Sequence, residues 1–323
     1  MIIVIIAQFS SGGKGIRQDS HGFLRRVPED AGETGQTDIK NSPTEVKCMK
    51  RALNAWTVEG SLDMEQTFAA VAKAGFEGIE LNVDAPGAAH GLSMNTTAAD
   101  YAAIRELSKK YNLPVCSIST SLWGGKMGNK DQWKDAEALL YKQIEAATEL
   151  GADGILTVPG GMGGALTLDG ARKNSIAFMQ SQKAQIEKLG IFVGLENVWN
   201  GFFLSPYDMA SFIDAVDSPK IGAYLDAGNM LAFSIPEYWI EVLGSRIGKV
   251  HVKDYKRNGG LNSGGTWQDI THGSADWKVM IPALRNAGYD GYLVGEVFKA
   301  FPDMSWDEYY AKVNGEIAEI CAM

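Results

Sequence analysis

Ala287-Gly288-Tyr289-Asp290-Gly291-Tyr292-Leu293-Val294-Gly295-Glu296 is a glycine-led approach to a short apolar strand that stops on a carboxylate. The approach recurs as Ala74-Gly75-Phe76-Glu77-Gly78, ahead of the apolar run Gly78 to Val83. Further runs of strand length lie at Lys50 to Trp56, Val115 to Thr120, Gly154 to Val158, Phe192 to Asn197, Gly222 to Asp226 and Lys249 to Asp254, which with Gly291 to Glu296 makes eight. Amphipathic segments separate them. Met64, Phe68, Val71 and Ala72, or Tyr101, Ile104, Leu107 and Tyr111, fall three or four apart and mark one buried helix face. Ser205-Pro206-Tyr207-Asp208 predicts a helix start: the serine caps, the proline suits the first helical position, and the aspartate completes a capping-box-like pair. Met209, Phe212, Ile213 and Val216 then supply its apolar face. Eight such units predict one α/β domain, a closed (β/α)8 TIM barrel. Neither G-x-G-x-x-G after the first strand nor G-x-x-x-x-G-K-[ST] is present, which weakens an open, doubly wound nucleotide-binding sheet.

A chain of 323 residues has room for one such barrel. Residues 8 to 45 are rich in Gly, Ser, Asp, Glu and Arg without apolar period, so 1–45 read as a flexible extension or a mis-called start and 46–323 as the catalytic barrel. At 45% hydrophobic and 21% charged residues the composition is that of a folded globular protein. A net charge of -9 opposes binding to nucleic acid or an anionic membrane, and a small molecule becomes the expected partner. Cys48, Cys116 and Cys321 form no C-x-x-C pair, so reduced thiols and a cytoplasmic location are expected. Met1 to Ala7 is short even for a signal segment and has no basic stretch before it, and no run nears the roughly 18 apolar residues of a membrane span.

In a TIM barrel the chemistry sits at the carboxyl ends of the strands, so a polar residue closing an apolar strand marks the mouth. Glu196, Asp226, His251 and Glu296 do this on four successive strands. Any one of them alone reads equally as a carboxylate bound to backbone or arginine, or a satisfied core histidine. Together, three carboxylates and an imidazole would repel and cost too much if buried without a cation. They form a hard, mostly oxygen ligand set suited to Mn²⁺ or Mg²⁺, with Co²⁺ or Zn²⁺ as alternatives.

The motifs L-E-N-V-W-N at 195–200, L-D-A-G-N at 225–229, H-V-K-D at 251–254 and G-E at 295–296, with G-S-A-D-W at 273–277, resemble the xylose-isomerase-like barrels of sugar isomerases and epimerases. The resemblance runs from about Val46 to the end of the chain. It implies metal ligands at Glu196, Asp226, His251 and Glu296, and paired acid/base carboxylates at Glu196 and Glu296. A divalent ion chelating a ketose carbonyl and neighbouring hydroxyl would acidify the adjacent C–H and stabilise a cis-enediolate. One glutamate would remove the proton, and the other would return it on the opposite face. Inversion gives epimerisation, and a shuttle between neighbouring carbons gives isomerisation. Asn229 and Phe202 stand where the family's free-ketose epimerases commonly carry histidine and glutamate. The pattern is closer to the L-ribulose-5-phosphate 3-epimerase and hexulose-6-phosphate isomerase branch, which implies a sugar or sugar phosphate as substrate.

Phosphate donors are sought in Lys253, Lys256, Arg257 and the loop Pro159 to Gly164; Arg257 also resembles a hydroxyl-binding arginine of the family. Asn229 and Arg257 are expected to contact substrate, and Trp56 and Trp123 to wall the pocket. His90 and His272 read as loop residues. Three other readings compete. A metal-dependent dehydratase of an inosose- or dehydroshikimate-like substrate would need an acid at the leaving hydroxyl. An abasic-site endonuclease would need a histidine-rich multi-zinc site, poorly matched by four histidines at this net charge. A non-catalytic sugar-binding barrel would be expected to lack one of the two glutamates. Association into a homo-oligomer leaves no readable signature.

Overall fold

The structure, a computed structural model, describes residues 49–160, 166–299 and 303–323, together with two short strands nearer the amino terminus. The chain divides into two compact units, Met1–Val46 and Lys47–Met323. In the first, Ile16–Gln18 and Leu24–Arg26 pair antiparallel. The rest of 1–45, read above as a flexible extension, lies outside the described residues.

The second unit alternates strand and helix eight times. The barrel strands are β1 (Lys50–Asn54), β2 (Gly78–Asp84), β3 (Val115–Ser119), β4 (Gly154–Thr157), β5 (Phe192–Glu196), β6 (Ile221–Asp226), β7 (Ile247–Val252) and β8 (Tyr292–Gly295). The helices are α1 (Met64–Lys73), α2 (Ala98–Tyr111), α3 (Trp133–Leu150), α4 (Leu168–Leu189), α5 (Pro206–Val216), α6 (Pro236–Leu243), α7 (Trp277–Asn286) and α8 (Trp306–Cys321). Each strand pairs parallel with the next, and β8 returns to β1 through Tyr292 opposite Lys50 and Gly295 opposite Leu53, which closes the sheet. Closure leaves no unpaired edge among the eight barrel strands.

Local chemistry explains the element ends. Gly75 (φ 89°) and Gly288 (φ 88°) follow the last turns of α1 and α7 in the left-handed region, where a side chain would be strained. The repeated Ala-Gly lead-in is therefore a helix stop that turns the chain into the next strand. At α5 the Ser205 hydroxyl accepts from Asp208 N–H and the Asp208 carboxylate accepts from Ser205 N–H, a full capping box with Pro206 in the first turn. Met209, Phe212, Ile213 and Val216 are buried on its inner face. The first strand is shorter than its apolar run predicts. The Asn54 side chain accepts from Trp56 N–H and turns Ala55–Thr57 into a 3-10 turn, so Trp56 leaves the sheet. After β7 the chain also forms an antiparallel hairpin, Asp254–Arg257 with Gly265–Gln268, which the alternating pattern does not announce.

Candidate metal centre and active site

Glu196 closes β5, Asp226 closes β6, His251 is the penultimate residue of β7 and Glu296 follows β8 directly. One ligand atom from each lies within 4.8 Å of the others. His251 Nδ1 is 3.1 Å from Glu196 Oε1, 3.6 Å from Glu296 Oε2 and 3.8 Å from Asp226 Oδ2. All four side chains are buried or nearly so. The other imidazole nitrogen, Nε2, faces Glu80 Oε1 at 2.6 Å. A carboxylate there calls for the Nε2–H form and aims the Nδ1 side at the three acids, the arrangement of a histidine ligand oriented by a carboxylate behind it.

Glu80 is the largest addition to the residues named from sequence. It is fully buried on β2, accepts from Asn54 Nδ2 at 2.6 Å and from the Tyr224 hydroxyl, and sits below the mouth as the floor of the cluster. Its signal was present in Gly78-Ile79-Glu80-Leu81-Asn82-Val83-Asp84, where acids and an amide alternate with aliphatics. In a barrel, that period of two puts Glu80 and Asn82 inside and Ile79, Leu81 and Val83 against the helices. Asn197 was also missed. Its Oδ1 accepts from Asp226 N–H and its Nδ2 donates to Asp226 O, each at 2.9 Å, so it ties the end of β6 to the residue following β5.

Charge is distributed unevenly. Burial, with Glu296 and Asp226 adding, pushes Glu196 up to about 7 against the pull of His251. Burial acts on Glu296 in the same sense, but the Lys253 ammonium and His251 outweigh it and hold that carboxyl below its ordinary value. Burial also raises Asp226, against Lys253 and His251. Lys253 Nζ stands 2.9 Å from Asp226 Oδ2 and bonds Glu296 Oε2. Asp226 Oδ2 is nonetheless a buried oxygen that accepts no well-formed hydrogen bond. A buried carboxylate oxygen with an ion pair but no hydrogen bond, amid two more carboxylates and an imidazole nitrogen, fits a hard or borderline divalent cation. A second grouping, Asp269, His272 and Glu316, already contains a cation: Lys312 Nζ is 2.7 Å from Asp269 Oδ2 and also pairs with Glu316.

Most of the other residues singled out have committed partners. Asn229 donates its backbone N–H to Asp226 Oδ1 at 2.6 Å and its side-chain amide to Asn197 O at 3.0 Å, so it cradles the aspartate. The Arg257 guanidinium donates to Leu231 O at 3.1 Å and bridges to Ser234 O, bracing the loop after β6. Trp56 is 36% exposed and donates to Asp84 Oδ2 at 2.8 Å, whereas Trp123 is 1% exposed and packs into the core. Lys256 is exposed and reaches Gly273 O at 3.4 Å. Gly161 to Gly164 lie outside the described residues. His90 bonds the carbonyls of Leu62 and Ala55. At the mouth, Trp199 stacks on Trp267 with centroids 5.2 Å apart, and Tyr255 meets both rings edge-on. Among the described residues no helix is long and apolar enough to cross a membrane.

The family sequence model for the xylose isomerase-like TIM barrel matches residues 68–312. A 3-oxo-isoapionate decarboxylase of Pectobacterium atrosepticum is 32% identical over 82 residues, 25% of this chain, so the chain spans only 29% of that relative's length. A D-allulose 3-epimerase from Methylomonas sp. superposes with a TM-score of 0.66 at 20% identity, over 85% of this chain and 98% of that one. A 3-keto-D-glucoside 4-epimerase from E. coli does so with a TM-score of 0.64 at 18% identity, over 85% and 100%. At such identities the superpositions speak to the shared fold.

Proposed function

Because the chain belongs to the family of xylose isomerase-like TIM barrels, we propose that it is a divalent-metal-dependent sugar epimerase or isomerase acting on a ketose. The observation that carries this is the convergence of Glu196, Asp226, His251 and Glu296 at the strand ends, with ligand atoms within 4.8 Å of one another. Bound by these four groups, a divalent cation, Mn²⁺ first and Mg²⁺, Co²⁺ or Zn²⁺ as alternatives, would supply Lewis acidity toward a carbonyl and its neighbouring hydroxyl.

The residues themselves divide the proton work. In the metal-free site Lys253 and His251 hold Glu296 below its ordinary value while burial raises Glu196 to about 7, so the two carboxyl groups of the acid/base pair sit in opposed environments. Two carboxyl groups with opposed environments suit removal on one face of the sugar and return on the other, which inverts the centre. Asn197 and Asn229 hold Asp226 in place, and Glu80 holds the His251 ring. The Trp199–Trp267 stack offers an aromatic wall to sugar C–H surface. Lys256 and Arg257 each have a carbonyl partner, which favours an unphosphorylated ketose over its phosphate.

The test is C–H exchange in D₂O, followed by NMR, for Mn²⁺-loaded protein with ketoses, ketose phosphates and keto-glycosides, against an EDTA-treated control. Metal-dependent exchange with inversion at the exchanged carbon is the expected result. Carbonyl migration would make it an isomerase, and loss of water from product would make it the dehydratase. No exchange anywhere on the panel, with metal bound, would sink the proposal.

A further inference from the structure

We infer that Lys253 is a displaceable counter-ion, which occupies the metal's place between Asp226 and Glu296 and is exchanged for the cation when it binds. The inference rests on the metal-site reading above. Lys253 Nζ is 2.9 Å from Asp226 Oδ2 and bonds Glu296 Oε2, oxygens of two of the four residues that would hold the metal. An ammonium and a divalent ion held on the same two carboxylates would repel in a buried site where screening is weak, which drives the lysine off as the metal binds.

The route of the side chain is built into the fold. A Cβ at Gly228 would stand 2.4 Å from Lys253 Cγ and 2.8 Å from Lys253 O, so the glycine of L-D-A-G-N leaves the space through which the lysine stem runs. An exit is present as well. Lys253 Nζ lies 5.5 Å from the Trp267 ring centroid, and a cavity of about 230 Å³ lined by Lys253, Trp267, Glu296 and Phe298 opens beside it. The ring face offers an ammonium a weaker but real resting place, at the end of the mouth nearest Glu296. Without a metal, Lys253 offsets the repulsion among buried acids. With one, it becomes a cation facing the cavity.

A lysine that merely organises the ligands and one that competes for them predict opposite signs. Calorimetric titration of Mn²⁺ into EDTA-stripped full-length protein should give Lys253→Met an affinity at least about tenfold tighter than wild type, a change of about 1.4 kcal/mol. Lys253→Arg, which restores the cation, should return the affinity to within a few-fold of wild type. Stripped Lys253→Met should also melt below stripped wild type, and Mn²⁺ should close that gap. Unchanged or weaker Mn²⁺ binding by Lys253→Met would overturn the exchange while leaving the metal site standing, whereas no Mn²⁺ binding by wild type would remove the metal site and the exchange together. If Lys253→Met folds only with Mn²⁺ present the exchange is supported. If neither it nor Lys253→Gln folds even then, the lysine is structural and the inference is wrong.

Discussion

Glu196 and Glu296 are the same residue type in one cluster, and their surroundings set them to different tasks. In the metal-free site Lys253 pairs with one, while the other relies on His251 against its own burial. Glu196→Gln and Glu296→Gln keep shape and volume, so each should lower kcat by roughly 10²- to 10⁴-fold with an unchanged circular dichroism spectrum. Asp226→Asn and His251→Asn should act mainly on Mn²⁺ affinity, read by calorimetry. Wild-type turnover and metal occupancy in all four would remove the site assignment. Glu80 adds a pH dependence. Burial alone would raise its carboxyl, but the His251 charge and hydrogen bonds from His251, Tyr224 and Asn54 pull it from 4.5 to about 2. A depressed acid contributes stability that is present above about 4.5 and lost as pH falls toward 2, on the order of 3 kcal/mol here. Denaturant titrations of EDTA-treated protein should show that acid loss in wild type and a flatter profile in Glu80→Gln. Equal profiles would refute the pairing.

Among the elements, the segment after β7 ties two motifs into one device. Asp254 of H-V-K-D accepts from the backbone N–H of Gly273, Ser274 and Ala275, at 2.9 to 3.1 Å, and from its own neighbour Tyr255. Thus G-S-A-D-W is a nest around a buried carboxylate. A Cβ at Gly273 would fall 1.8 Å from Asp254 Oδ1, so no side chain fits there unless the nest opens. Gly273→Ala should cost about 1–3 kcal/mol of stability, measured as a lower denaturant midpoint, because overpacking is compounded by lost charge-assisted bonds. A midpoint equal to wild type would mean the loop does not depend on this contact. The capping box at Ser205 was legible in four consecutive residues, since it is local chemistry. The nest was not, since its donors are about twenty residues from its acceptor and nothing in either segment names the other.

At the scale of the whole molecule, closure brings four ligands from four strands to one place, so a metal that binds them ties the sheet together. Mn²⁺ at about 100 times its dissociation constant should add about 2.7 kcal/mol, raising Tm by roughly 5–10 °C, and EDTA should reverse it. A thermal scan with no metal-dependent shift would argue against the site. The sequence alone determined the barrel and the four strand-ending residues, because strand and helix periods, glycine helix stops and polar strand ends are all written within a few residues of one another. Only the tertiary structure decided what each polar group meets: that Glu80 reaches His251 from β2, that Arg257 and Asn229 brace backbone, that Trp123 is core, and that Lys253 turns inward onto Asp226 and Glu296. Apart from Asn229 on Asp226, three residues away, those contacts join residues far apart in the chain. Their partners follow from strand register and from closure of the sheet, which no local window of sequence contains.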